Sequence, residues 1–252
     1  MQIDILTIFP NFFASPLNEG LVKKAQESKL INIKVTDIRD FAKDKHRSVD
    51  DTPFGGGAGM VMMVEPLASA LDSILSETPS AENKDKYSII LTSAQGKRFD
   101  QEKAKELSKK ERLVIICGHY KGVDERIKLL YDLEELSIGD YVLTGGEIPA
   151  LVIMDSIVRL IPGFIGNFQS AETDTFYEGL LGYPEYTRPA EFKGLKVPEV
   201  LLSGNHERIR LWRRKEALKK TLGQRPELLK NIELSPEDKK LISEIEKERQ
   251  LS

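Results

Sequence analysis

Over its first two-thirds the chain alternates short apolar runs with longer amphipathic ones, and that rhythm restricts the fold more than any other feature. Strands are expected at residues 2–9, 31–38, 87–93, 113–118 and around 141–143. Helices are expected at 17–29, 66–75, 100–110, 124–133 and 148–161. Such alternation gives an α/β domain, a mostly parallel sheet flanked by helices. In that class ligands bind beyond the carboxyl ends of strands, which directs attention to the loops after the later strands.

Past Pro162-Gly163 the pattern changes. Residues 164–174 are rich in Gly, Asn, Gln, Ser and Thr without periodicity, which marks a linker between a first domain of residues 1–163 and a second of residues 175–252. The second is expected to be small and mainly helical. One helix opens near the N-cap residues Ser203 and Asn205, carries Leu211, Leu218 and Leu222 beside Trp212, and stops at Gly223 ahead of Pro226. A charged helix fills residues 236–250. Charge is divided unevenly: residues 1–174 hold 21 Lys/Arg against 27 Asp/Glu, and residues 175–252 hold 16 against 13. Between Arg208 and Arg225 there are eight basic residues and one acid, Glu216. Arg208, Arg213, Arg214, Lys215 and Lys219 could meet RNA phosphates beside a stacking Trp212. The same stripe could be only a solvated helix face, and the pattern alone leaves both readings open.

Several function classes are excluded. One cysteine, Cys117, and three histidines make no zinc pattern, and no metal site is expected. Cys117 lies in a strand-like run and reads as a buried, inert thiol in a reducing cytoplasm. Asp4 and Pro10 interrupt the first apolar stretch, so it reads as a strand and not as a signal segment. No apolar run reaches membrane-spanning length, and no membrane partner is expected. The glycine-rich segment 55–59 lacks the Lys-Ser/Thr ending of a P-loop and the spacing of a dinucleotide fingerprint, which disfavours an NTPase or a dehydrogenase.

Three later loops stand out: Thr92-Ser93-Ala94-Gln95-Gly96, Cys117-Gly118-His119-Tyr120-Lys121-Gly122, and Ser137-Ile138-Gly139-Asp140-Tyr141-Val142-Leu143-Thr144-Gly145-Gly146. Glycines there let backbone groups approach a ligand, and neutral backbone suits an adenine edge better than a triphosphate. Three such loops in one α/β domain point to a ligand crevice.

These loops resemble those of the bacterial tRNA (guanine-N1)-methyltransferase family, a knotted class of methyltransferase. The resemblance extends over nearly the whole chain, through Ile161-Pro162-Gly163, Gly179-Leu180-Leu181, Tyr186-Thr187-Arg188-Pro189-Ala190 and Pro198-Glu199-Val200-Leu201-Leu202-Ser203-Gly204-Asn205-His206. It implies that the three loops form a deep trefoil knot. It implies a homodimer with its active site at the subunit interface, S-adenosylmethionine in the knot and tRNA as substrate. The modified base would be the guanine immediately 3′ of the anticodon (position 37). Matched by position, Gly118, Ile138, Gly139, Asp140, Tyr141, Val142 and Leu143 would line the cofactor, with Ala94, Gln95, Tyr120, Gly122, Gly145 and Gly146 around them.

Methylation at N1 requires the ring proton to leave while negative charge gathers on the carbonyl oxygen, so a carboxylate and a cation are needed. Asp174 matches the family's general base, with an expected pKa raised by partial burial, and Arg159 matches the residue that steadies the oxygen. Without the resemblance, Asp174 reads as a linker residue or helix cap and Arg159 as an exposed helix edge. A non-catalytic RNA-binding module would keep the basic stripe and need neither. Three positions depart from the family pattern. Lys121 stands where many members have glutamate, Ala94 where proline is usual, and Gly182 where an aspartate often follows Gly-Leu-Leu. The first and last remove acids that would support a magnesium ion.

Overall fold

A computed structural model describes residues 1–77, 85–165 and 174–250. The chain divides into two compact units, Met1–Phe168 and Gln169–Ser252. Most of the expected linker, residues 166–173, lies outside the described residues.

The first unit runs β1 (Gln2–Thr7), α1 (Gly20–Glu27), β2 (Asn32–Asp37), β3 (Asp50–Asp51), β4 (Val61–Met62), α2 (Val64–Ser76), β5 (Tyr87–Arg98), α3 (Gln101–Leu107), β6 (Arg112–Cys117), α4 (Arg126–Leu130), β7 (Leu133–Ser137) and α5 (Glu147–Val158). Five strands form one parallel sheet in the order β2-β1-β6-β5-β7, and β3 pairs with β4 in a separate antiparallel ribbon. β6 is buried along its whole length, as a continuous aliphatic run between two parallel neighbours should be. One face packs Leu6, Val114 and Ile116 against Leu67, Leu71 and Ile74 of α2. α5 packs on β6 and on α3. The aspartate that interrupts the first apolar run is fully buried: Asp4 accepts from Arg112 Nε at 2.7 Å, joining adjacent strands.

Two expectations are corrected. The last strand of the sheet is Leu133–Ser137, not residues 141–143, whose side chains are exposed, Val142 at 87%. The aromatic and β-branched residues of 141–143 imitate a strand. The true one hides its pattern behind Glu134 and Glu135, which an edge strand tolerates by pairing with Lys103 and Lys128. Because β7 begins at Leu133, the helix expected at 124–133 shrinks to α4.

In the second unit β8 (Glu191–Phe192) and β9 (Leu195–Lys196) form a hairpin, followed by α6 (Glu199–Leu202), α7 (His206–Gln224) and α8 (Pro236–Gln250). Asn205 caps α7 by accepting from the Arg208 amide at 3.1 Å, and the helix ends one residue beyond Gly223. Leu180, Leu218, Leu241 and Ile245 form this unit's core, so the charged α8 contributes an apolar face of its own.

Candidate active site

The three glycine-bearing loops meet in one cleft of about 430 Å³ at the carboxyl ends of β5, β6 and β7. The first loop is made by a break in register: Thr92 and Lys97 both pair with Leu136, so residues 93–96 leave the ladder and β5 then resumes. This places Ala94 and Gln95 on the cleft wall, exposed. The second loop is stitched to β4, with the Lys121 amide donating to the Met60 carbonyl at 3.0 Å and the Met62 amide to the Gly122 carbonyl at 3.0 Å. Tyr120 is held there at φ 59°, a left-handed conformation costly for a tyrosine, and its hydroxyl donates to Asp50 at 3.0 Å.

Of the residues expected to surround a cofactor, all but Asp140 line this cleft. Leu91, Leu136 and Pro149 also line it. The key glycines have a different reason from the one expected. A Cβ on Gly146 would fall 2.6 Å from the Gly118 amide nitrogen, and one on Gly118 would fall 2.7 Å from the Thr92 carbonyl oxygen. These residues are small because the loops press on one another, and the cleft is what that packing leaves.

A buried polar cluster behind the cleft escaped the sequence reading. Glu147, at the first turn of α5 and 4% exposed, accepts from Thr7 Oγ1 at 2.6 Å, and His119 Nε2 lies 2.7 Å from its other oxygen. Burial pushes the Glu147 carboxyl up, but the His119 and Thr7 hydrogen bonds outweigh it, leaving it below the usual glutamate value. The backbone of His119 bridges Gly145, so the cluster joins the second loop to the end of the third and both to β1. Glu147 is the one acid in the first two turns of a mostly apolar helix, which is the available signal; Thr7 gives none. Next to it, burial and Glu147 raise the Cys117 thiol well above its ordinary value, consistent with an inert side chain.

Arg159 is the C-cap of α5, half-buried, in the first unit, and Asp174 lies in the second. Asp174 is exposed, where partial burial was expected. The basic stripe is also revised. Arg214 is bound to Asp238 (2.7 Å) and Glu178, and Lys215 to Glu244 and Glu248 (2.7 Å), so these two spend their charge within the unit. Arg208, Arg213 and Lys219 are exposed.

The tRNA (Guanine-1)-methyltransferase TrmD family profile matches residues 1–231, a span that includes all three cleft loops, Arg159, Asp174 and α7. The chain belongs to this family. Among its relatives, the tRNA (guanine-N(1)-)-methyltransferase of Dictyoglomus turgidum is 54% identical over 248 residues, covering 98% of each chain. That of Desulforamulus reducens is 52% identical over 246 residues, 98% of this chain and 95% of the relative. That of Geobacillus kaustophilus is 51% identical over 250 residues, 99% and 100% respectively. In this tRNA (guanine-1)-methyltransferase family member no helix among the described residues is long and apolar enough to cross a membrane.

Proposed function

We propose that this protein transfers the methyl group of S-adenosylmethionine to N1 of the guanosine immediately 3′ of the anticodon in tRNA, in the cytoplasm. The observation that carries this reading is the convergence of three glycine-bearing loops into one cleft, in a chain of this family. The glycines of the loops, beside Leu91, Leu136, Ile138 and Pro149, suit an adenine edge and a thioether chain. The cofactor would supply an activated methyl, and the cleft would hold it with Gly118, Ile138, Tyr141, Val142 and Leu143 around it. Asp174 would take the N1 proton, and Arg159 would face the carbonyl oxygen where charge gathers. The N1 proton is roughly five pKa units less acidic than an aspartic acid, so complete transfer before methyl attack would cost about 7 kcal/mol. Proton transfer to Asp174 therefore accompanies or follows methylation. Lys121 brings an ammonium-bearing side chain to the cleft wall and Gly182 brings no donor side chain, so the residues do not fit a magnesium ion here and no step uses one.

The trefoil knot belongs to the same reading. It is supported by the packing of Gly145 and Gly146 against His119, Thr92 and Gly118, which brings the third loop against the other two. An experimental chain trace that can be drawn out without passing through a loop would remove it. So does the homodimer. α5 is apolar on nearly every side, as a fully buried helix should be, yet Ile148 and Val152 are 46% and 42% exposed. Phe9, Phe12 and Leu21 of the same unit are exposed as well. A second copy would cover this surface, complete the active site and hold tRNA across both subunits. Val152→Glu is expected to sediment as a monomer and lose activity; a dimeric variant would remove this face as the interface.

Incubation with labelled cofactor and unmodified tRNA tests the function. Label is expected in tRNA carrying that guanosine and absent when adenosine replaces it. No label in the guanosine-bearing tRNA would overturn the reading.

A further inference from the structure

The second unit carries a concavity of its own. A groove of about 470 Å³ is lined by residues 184–188, Ala190 and Val197, by Leu201 and Leu202 of α6, and by Ile209 and Arg213 of α7. Its two arginines differ from others nearby. Arg210 pairs with Glu207 and Glu237, Arg214 with Asp238 and Glu178, and Arg225 with Glu227. Among the described residues no carboxylate lies within ion-pair distance of Arg188 or Arg213, although Glu185 lines the same groove. With 16 Lys/Arg against 13 Asp/Glu in residues 175–252, the unit cannot match every cation, and the two arginines that line this groove are among those left over.

Aromatic rings accompany them. The Arg213 guanidinium lies over the Tyr183 ring, 4.9 Å from its centroid. Tyr186, 49% exposed, sits beside Trp212 with ring centroids 6.4 Å apart. A guanidinium stacked on a ring is held flat while its edge N–H groups remain able to grip a phosphate. An exposed tyrosine face accepts a base of any sequence. Unmatched forked cations next to an open aromatic face suit an unstacked nucleotide flanked by phosphates. Neither an acidic peptide nor a small anion would use the ring.

We propose that this groove is where the second unit holds the tRNA backbone at an unstacked nucleotide, Arg188 and Arg213 taking the phosphates and Tyr186 the base. The proposal rests on the tRNA methyltransferase reading and narrows it, moving the RNA contact from the whole α7 stripe to one groove.

The test measures tRNA binding over a salt titration, with cofactor binding and methyl transfer followed in parallel. Arg188→Gln with Arg213→Gln is expected to weaken binding about tenfold or more and to make the log affinity against log salt slope shallower by about 2. Tyr186→Ala should weaken binding roughly fivefold with the slope kept. Arg225→Gln, which removes a matched arginine, should change neither. Cofactor affinity should be constant throughout. If the glutamine pair loses its fold, Arg188→Lys with Arg213→Lys keeps the charge and removes the fork, and should bind more weakly at unchanged slope. Wild-type affinity in that folded lysine pair, or wild-type affinity and slope in the glutamine pair, overturns the groove. A wild-type protein that binds no tRNA refutes the enzymatic reading instead.

Discussion

Asp174→Asn is expected to lower methyl transfer by about 10²- to 10⁴-fold, the range that a positioned general base contributes. Cofactor affinity should be unchanged, because Asp174 is not among the residues that line the cleft. The amide keeps the size of the side chain and removes its ability to accept a proton. The loss should therefore appear in single-turnover rate with saturating tRNA and not in tRNA affinity. Unchanged turnover would remove Asp174 as the base.

Glu147→Ala should destabilise the first unit by about 3 kcal/mol, since it strands a buried hydroxyl and an imidazole that share one acceptor group. Denaturant unfolding measures this, and calorimetry should find weaker cofactor binding as the second and third loops lose their common anchor. Glu147→Gln keeps an acceptor oxygen and should recover part of both losses. The pH dependence follows from the sign of the shift. A carboxyl held below its ordinary value stabilises fully above that value and ceases to do so as pH falls through its lowered one. The deficit of the alanine variant should then shrink in acid. Equal stability of variant and wild type at neutral pH would show that the cluster carries no load.

The sheet was legible wherever strands were buried on both faces. β6 announces itself by the unbroken aliphatic run 113–116, and β1 by an aliphatic run broken only at Asp4, because a central parallel strand needs apolar side chains in both directions. β7 was not legible, because an edge strand can satisfy Glu134 and Glu135 with lysines from neighbouring helices. The cleft loops were found by their glycines, although those glycines serve loop packing more than ligand approach. The Thr7–Glu147–His119 cluster joins positions 140 and 28 residues apart in the chain, which no local pattern encodes. Likewise the basic stripe on α7 could be counted from sequence, but which of its cations are matched depends on α8 and on Glu178.

The interruption in β5 separates two tasks that a strand normally combines. Ladder pairing is complete up to Thr92 and resumes at Lys97, so Ala94 and Gln95 contribute to the cleft and nothing to sheet pairing. Mutations at these two positions are thereby insulated from folding. Ligand preference can drift there over evolutionary time, or be redesigned, while the scaffold beneath keeps its stability.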